Sequence, residues 1–326
     1  MVPILRFLIL SFFLYSCNEN KIGVVHWSTS FHQLPKEIRY SDSLSDHTAW
    51  MLRYFDVTWK NNQAIPTAVA SLPKNLPLQS AAVFIQRQVL EKTPKSQLPQ
   101  LSNQIVSLIQ QMEIGHQKSK EILLDFDWGK GTKENYFELI QHMKAKLPHK
   151  KISATIRLSQ FANPRVYGVP PTDHGLLMMY QTGSLNQPEK PLLWEKGEVQ
   201  RYLKQTNYPI PLDVAIPAFS WSIIQRKVAI KNRKNISIVF PSYLQEIQAN
   251  KNFKQIKTNE FLCIQPHFFH GFFLLPNDRV RCEKVSENDL KWAMKEAKSI
   301  AKTDGIVYLY LIEEASNGHY PADWFR

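Results

Sequence analysis

The sequence contains few cysteines, only three among 326 residues, at positions 17, 263 and 282. It has no C-x-x-C pair, and His267 and His270 lack a third ligand at a recognisable spacing. A zinc site is therefore not predicted, and we expect no cofactor. Nothing in the spacing requires Cys263 to pair with Cys282, although an exported chain could oxidise both, so their pairing stays open.

Several motifs of other enzyme classes are also missing. The segment 129–132, Gly-Lys-Gly-Thr, lacks the spacing of a phosphate-binding loop, and a loop that leads into a helix explains it. The sequence has no G-x-S-x-G elbow, which makes Ser220 a poor nucleophile. No internal repeat or low-complexity tract is present, and the length suffices for one large core.

The longest apolar run near the N-terminus, residues 8–14, is too short to span a bilayer. It follows Arg6 and ends in Leu-Tyr-Ser-Cys at 14–17, which resembles the bacterial lipobox. The resemblance implies a lipoprotein signal peptide (1–16), diacylated Cys17 with a short tether (17–21) and a single domain (22–326). Asn18 favours the outer over the inner membrane. The alternative is an ordinary signal peptide with an incidental cysteine.

Acidic residues are outnumbered by basic ones, 28 against 40, which gives a formal charge of +12. Such a balance suits nucleic acid, anionic lipid or acidic glycans. Because export is predicted, we expect no nucleic-acid partner and expect membrane contact through the lipid anchor. A solvated, lysine-rich surface explains the charge equally well, so the charge predicts no substrate.

The fold class predicted is α/β, because apolar strand-like runs alternate with helical segments. Eight strands are predicted, at 22–27, 51–57, 81–86, 122–127, 152–158, 176–181, 214–219 and 306–312. Helices are predicted at 101–112, 133–147, 198–204, 243–248 and 287–300. We expect a (β/α)8 TIM-like barrel, possibly irregular, with an open doubly wound sheet as the alternative. The aromatic segment 268–273 is interpreted as an added hairpin.

An acidic pair ends the fourth predicted strand. Asp125 and Asp127 are expected on one face with Cα atoms ~6.6 Å apart. A helix follows, with Thr132 as its predicted N-cap. Ligands bind at the carboxyl ends of such strands, and two close carboxylates raise the pKa of one of them, as a general acid requires.

Other polar and aromatic residues follow the remaining strands and would form a ring around the pair. Carboxylates, arginines and aromatic faces together are typical of a carbohydrate site. The predicted ring comprises Trp27, Ser28, Asp56, Trp59, Arg87, Asp125, Asp127, Trp128, Arg157, Gln160, Tyr180, Gln181, Ser220, Trp221 and either Glu313 or Glu314.

Roles follow from these residue types. Asp127 is the predicted general acid and Asp125 orients it or tunes its pKa, while Arg157, Gln160 and Tyr180 bind hydroxyls or stabilise charge. The predicted sugar platforms are Trp128 and Trp221, and the substrate-binding wall is completed by Asp56, Gln181 and Glu313. The alternative gives the acids structural bonds to strand-end amides or to Arg157, and places the tryptophans in the core.

Two resemblances bear on this site. The sequences Leu-Leu-Asp-Phe-Asp at 123–127 and Met-Met-Tyr-Gln at 178–181 resemble the D-x-D-x-E and Met-x-Tyr-acid motifs of chitinase-type glycoside hydrolases. The expected catalytic Glu is replaced by Gly129, and the acid after the tyrosine by Gln181. Segments 125–128, 153–158, 168–175 and 211–221 are similar to a family of bacterial lipoproteins with a glycosidase-like barrel, which implies the fold, the anchor and a pocket near Asp125.

Two functions are compatible with these observations. The first is a lipid-anchored, glycoside-hydrolase-like barrel that acts on a polysaccharide or envelope glycan. The second is a non-catalytic glycan-binding or envelope-assembly lipoprotein, which Gly129 and Gln181 favour. A metal-dependent hydrolase is a distant third.

Overall fold

The computed structural model describes residues 21–27, 49–72, 78–185, 187, 189–204, 207–226, 236–302 and 304–311. Eight parallel strands of this part of the chain close into a barrel. Its strands are β1 (Lys21–His26), β2 (Ala49–Lys60), β4 (Leu78–Ile85), β5 (Glu121–Asp125), β6 (Lys151–Arg157), β7 (His174–Met178), β8 (Leu212–Pro217) and β16 (Ile306–Leu311). The barrel closes because β1 pairs with both β2 and β16.

All eight predicted strands correspond to the eight barrel strands, and the barrel prediction is confirmed. Their nearly continuous apolar runs fit strands that are buried on both faces. A side chain is excluded at Gly23 in β1, where a Cβ would lie 2.5 Å from the Tyr308 ring of β16. β2 extends beyond the barrel and pairs antiparallel with β3 (Gln63–Thr67).

The helices of the described chain flank the barrel strands, except the one at Leu244–Ala249, which packs within the antiparallel subdomain at 220–284. They are α1 (Arg87–Lys92), α2 (Leu98–Met112), α3 (Lys133–Lys146), α4 (Leu158–Ala162), α5 (Pro164–Tyr167), α6 (Lys196–Tyr202), α7 (Leu244–Ala249) and α8 (Glu287–Ala301), with a 3-10 turn at Lys95–Gln97. α2 buries Leu101, Ile105 and Ile109, a spacing of one helical face. α8 begins as its sequence indicates, since the Ser286 side chain accepts a hydrogen bond from the Asp289 amide.

An antiparallel subdomain, residues 220–284, occupies the connection between β8 and α8. Its sheet has the order β10-β9-β15-β12-β11. These strands are β9 (Ser220–Arg226), β10 (Ile236–Pro241), β11 (Phe253–Lys257), β12 (Glu260–Cys263) and β15 (Arg279–Lys284). β13 (His267–Phe269) and β14 (Phe272–Leu274) form a hairpin beside it, which contains the segment 268–273 interpreted as an added hairpin. The rest of the subdomain's sheet was not predicted from the sequence.

Cys263 and Cys282 are both buried free thiols, so they do not form the disulfide that the sequence left open. Cys263 Sγ donates to the Gln265 carbonyl, and Cys282 Sγ lies 3.2 Å from Ser222 Oγ. Within the described ranges, no helix is long and apolar enough to cross a membrane. Cys17 and the predicted signal peptide lie outside the described residues.

Candidate functional site

Asp125 is the last residue of β5 and lies at the carboxyl end of the barrel, where its side chain is only 5% exposed. Its Oδ1 accepts a hydrogen bond from Thr155 Oγ1 at 2.8 Å and lies 4.0 Å from Arg157 Nη2. Burial raises the pKa of Asp125, although Arg157 and Thr155 act to lower it and nearby Asp127 raises it further. This carboxyl group therefore holds a proton at higher pH than an ordinary aspartate.

Asp127 is exposed to solvent, in contrast to Asp125. β5 ends at Asp125, so Asp127 belongs to the loop that follows rather than to the strand. The side chains nonetheless continue to alternate in direction past the end of β5, because Phe126 and Trp128, on either side of the exposed Asp127, are both buried. Asp127 Oδ1 is 3.4 Å from Gln160 Nε2, which also donates to the Trp128 carbonyl at 2.9 Å. The acidic pair thus consists of a buried member and an accessible one.

Gln160 is fully buried and fixes two loops of the site. Its Oε1 accepts from the Arg157 amide at 2.7 Å, at the start of α4. Its side-chain Nε2 donates to the Trp128 carbonyl and so fixes the loop after β5. Because no surface of Gln160 is exposed, its role here is to position Asp127 and Arg157 rather than to contact a ligand.

Arg157 lies between the acidic pair and the β7 end, with 22% of its side chain exposed. Burial acts to lower the pKa of Arg157, but Asp125, Tyr180 and Asp127 raise it, and the net pKa lies above the ordinary value. Its Nη1 is 3.4 Å from Gln181 Oε1, while its buried Nε makes no hydrogen bond within the described residues. Arg157 is a fixed cation that reaches the solvent beside Asp127.

An aromatic cluster lines the other side of the barrel mouth. Tyr180 packs 5.4 Å from Tyr310 and 5.6 Å from Phe219, as measured between ring centroids. Burial raises the pKa values of Tyr180 and Tyr310, and Asp125 raises both further. Both hydroxyls therefore stay protonated. Trp27 and Trp221 extend the cluster at its two ends and are partly exposed.

Asp56 in β2 is paired with Arg53 rather than free to contact a ligand. Arg53 Nε donates to Asp56 Oδ1 at 2.8 Å, and Nη2 contacts Oδ2. The same guanidinium donates to the Trp27 carbonyl and lies 5.4 Å from the Trp27 ring. It also lowers the pKa of Asp125, which places this cluster within electrostatic reach of the acidic pair.

Glu283 in β15 is a residue that the sequence did not single out. It is buried and accepts hydrogen bonds from the Leu192 and Leu193 amides, from Trp221 Nε1 at 2.9 Å and from Arg281 Nε. The Leu193 carbonyl in turn accepts from the Gln181 amide. One carboxylate thus connects the subdomain, Trp221 and the loop after β7. The only sequence signal is alternation along β15, which puts Arg281 and Glu283 on one face.

The platform predicted at Trp128 has no accessible face. Its side chain is 1% exposed, its ring stacks 5.5 Å from Tyr136, and its Nε1 donates to the Tyr167 carbonyl. The reason is the alternation noted above, which turns Trp128 toward the core. Gln181 is exposed, with a positive φ of 59°.

The remaining members of the predicted ring have partners other than the acidic pair in the described part of the chain, or lie outside it. Trp59 lies on the part of β2 that pairs with β3, and Arg87 forms an exposed ion pair with Glu91. Ser220 begins β9 of the subdomain. Ser28, Glu313 and Glu314 lie outside the described residues. Over the described ranges, no group of three metal-ligating side chains comes together.

No protein-family model matches the chain, and no curated protein matches it in sequence. Solved structures do resemble it. The C-terminal domain of a Desulfitobacterium hafniense protein described as a chitinase aligns over 94% of this chain and 100% of its own, at 10% identity and a TM-score of 0.54. At this identity the likeness concerns the fold alone, a closed barrel of parallel strands with flanking helices.

Two further structures align with lower scores. The spore cortex-lytic enzyme SleL of Bacillus cereus aligns over 94% of this chain and 72% of its own, at 13% identity and a TM-score of 0.49. A glycoside hydrolase family 18 N-acetylglucosaminidase from Paenibacillus barengoltzii aligns over 89% and 94%, at 11% identity and a TM-score of 0.45.

Proposed function

We propose that this protein is a glycoside hydrolase that acts on a polysaccharide or envelope glycan through the Asp125–Asp127 pair. The observation that carries the proposal is an exposed Asp127 beside a buried Asp125, at the carboxyl end of a closed parallel barrel. Active sites of this fold occupy that end. The motif likeness to chitinase-type hydrolases at 123–127 and 178–181 falls on the matching strands and adds support.

In this reaction Asp127 donates a proton to the glycosidic oxygen as its bond to the anomeric carbon breaks. Water then adds to that carbon and gives up a proton to a carboxylate of the pair. Asp125 modulates the proton affinity of the pair, because its raised pKa keeps the carboxyl group next to Asp127 protonated to higher pH. Arg157 binds sugar hydroxyls and the partly exposed Trp27 and Trp221 contact the sugar rings, whereas Tyr180 is buried and supports the mouth of the barrel.

We further propose that the protein is attached to the outer membrane by a diacylated Cys17. The lipobox-like sequence at 14–17 and Asn18 support this placement. Acylation would hold the barrel at a membrane surface without a spanning helix. Mass spectrometry of the exported protein tests it, since a diacylated N-terminal cysteine is expected and an unmodified mature chain would contradict it.

The test of the reaction is the release of reducing ends from a panel of bacterial and plant polysaccharides. The wild-type protein is compared with Asp127→Asn and with Asp304→Asn, which alters an exposed aspartate next to β16 at the opposite end of the barrel. We expect turnover by the wild type and Asp304→Asn and a loss of 10²–10⁴-fold in Asp127→Asn, a range typical of a general acid. Equal turnover in all three proteins would remove the assignment.

A second function, glycan binding without hydrolysis, is favoured by Gly129. A Cβ at this position would lie 3.5 Å from Arg87 Nη2, an ordinary contact, so crowding does not explain the missing acid. This function predicts glycan affinity that is unchanged in Asp127→Asn and lost in Trp221→Ala. Calorimetry on any glycan that binds without turnover distinguishes the two functions.

A further inference from the structure

The hairpin β13–β14 presents an apolar outer face to solvent. Phe268 pairs with Phe273 across the hairpin, with ring centroids 4.9 Å apart, and the two side chains are 75% and 48% exposed. Phe269 and Leu274 point the other way and are buried in the core of the subdomain. The hairpin is therefore anchored by one apolar face while a second apolar face is left uncovered.

Exposed apolar side chains concentrate in this subdomain. Across the described part of the chain, ten large apolar side chains are exposed, and six of them lie between 239 and 275: Val239, Ile256, Ile264, Phe268, Phe273 and Leu275. Ile264 and Leu275 flank the hairpin in sequence and, together with Phe268 and Phe273, are named the apolar tip here. Phe268 and Phe273 are in contact, and exposed apolar groups that adjoin one another mark contact surfaces.

The hairpin is held in shape, as a contact surface requires. His270 and Gly271 both have positive φ, 45° and 82°, which forms the tight two-residue turn favoured in hairpins. The His270 ring stacks 3.5 Å from the Tyr243 ring, and its Nε2 lies 2.8 Å from Glu246 Oε2. The apolar tip is thus presented by a fixed turn.

The described part of the subdomain carries an excess of positive charge. Residues 220–226 and 236–284 contain seven Lys and Arg against four Asp and Glu. All four acids are already engaged by a cation or histidine of the same subdomain, in the pairs Asp278–Arg226, Glu260–Arg279, Glu283–Arg281 and Glu246–His270. Exposed Lys251, Lys254, Lys257 and Lys284 remain as excess positive charge.

We propose that the apolar tip docks into the interface of a membrane that contains anionic phospholipids, with the surrounding lysines on the headgroups. Apolar wedges flanked by basic residues bind such surfaces by combining hydrocarbon burial with attraction to phosphate. This inference does not depend on hydrolysis or on acylation.

The test places an environment-sensitive fluorophore beside the apolar tip in the full chain. Pro266→Cys is labelled with nitrobenzoxadiazole in a Cys17→Ser background, and Ile114→Cys is the matched control because Ile114 is also 75% exposed. Cys263 and Cys282 are buried, and the protein without an added cysteine sets the background label. Vesicles contain phosphatidylcholine with or without phosphatidylglycerol, and circular dichroism checks the fold of every variant.

We expect the label at 266 to brighten at least threefold with phosphatidylglycerol vesicles and the label at 114 to stay unchanged. The response should fall at least fivefold in Phe268→Ser, in Lys254→Glu/Lys257→Glu and with phosphatidylcholine alone. No response at 266, an equal response at 114, or a response that survives Phe268→Ser would overturn the proposal. A response to soluble polysaccharide without vesicles would overturn it in favour of a sugar platform.

Discussion

Asp125 combines near-complete burial with little compensation, since among the described residues Thr155 alone donates a hydrogen bond to it and Arg157 lies 4.0 Å away. Burying a carboxylate in this way disfavours its charged form. The pair in this site is therefore asymmetric, with one member adjusted by burial and the other open to solvent. That asymmetry is what a site needs if one carboxyl tunes and the other reacts.

The raised pKa of Asp125 predicts a pH dependence of stability. Between the ordinary aspartate pKa, ~3.9, and the raised folded value, the folded state binds more protons than the unfolded state. The free energy of unfolding of the wild type should thus fall, relative to Asp125→Asn, as the pH rises above 4. Urea titrations at pH 4 to 8 measure this difference, and a gap that is flat with pH would contradict the burial argument.

Trp128 has a structural role by its contacts, so its substitution should affect stability and not ligand binding. Trp128→Phe removes the hydrogen bond to the Tyr167 carbonyl and part of the ring contact with Tyr136. We expect a loss of about 1–2 kcal/mol in the free energy of unfolding. Glycan affinity should be unchanged, whereas Trp221→Phe, the matched variant at the barrel mouth, should weaken it. Loss of affinity in Trp128→Phe at unchanged stability would reverse these roles.

At the scale of elements, the strand β15 fixes the loop after β7. Glu283 holds the Leu192 and Leu193 amides, and that loop hydrogen-bonds to Gln181, which approaches Arg157. The antiparallel subdomain is thus physically connected to the mouth of the barrel. A carboxylate in a strand with no motif around it gives no functional signal in a sequence, which is why this link was missed.

This link predicts a strong effect of Glu283→Gln. The neutral amide removes the carboxylate that pairs with the buried Arg281, and breaking a buried pair typically costs about 3–5 kcal/mol. Urea denaturation measures the loss. The control is Glu91→Gln, whose partner Arg87 is exposed, where a change below about 0.5 kcal/mol is expected.

If Glu283 had only a structural role, Glu283→Gln would lower the free energy of unfolding and leave KM unchanged. Because Glu283 also orients Trp221, we expect KM for a glycan substrate to rise in Glu283→Gln below its unfolding range while kcat changes less. Unchanged KM in the folded variant would limit Glu283 to stability.

For the whole molecule, the sequence predicts the barrel well because each barrel strand corresponds to a separate apolar run. Each of the eight, from 22–27 to 306–312, overlaps an observed strand, and most bounds shift by one to three residues. Two ends matter more, since β5 stops at Asp125 and β7 at Met178, and this moves Asp127 and Tyr180 into loops. Hydrogen bonding between neighbouring strands decides where each strand ends, and an apolar run in the sequence does not specify that pairing.

The site was predicted less completely than the fold. Asp125, Arg157 and Tyr180 do lie within electrostatic reach of one another, because they follow neighbouring strands of one barrel end. Trp128 points into the core. Trp221 belongs to a second sheet, and the alternating, charge-rich strands of that sheet are harder to predict from sequence than buried barrel strands. Residue types predicted the chemistry of the mouth, while burial and partners depended on contacts distant in sequence.

Whether the acidic pair catalyses hydrolysis is decided by the ratio of kcat/KM between Asp127→Asn and the wild type on the best glycan substrate. We expect a fall of at least a hundredfold in kcat/KM, with the fold retained and Asp304→Asn unaffected, because Asp127 presents an accessible carboxylate beside the buried Asp125. A ratio near one in a folded Asp127→Asn protein would contradict the assignment of hydrolysis to this pair.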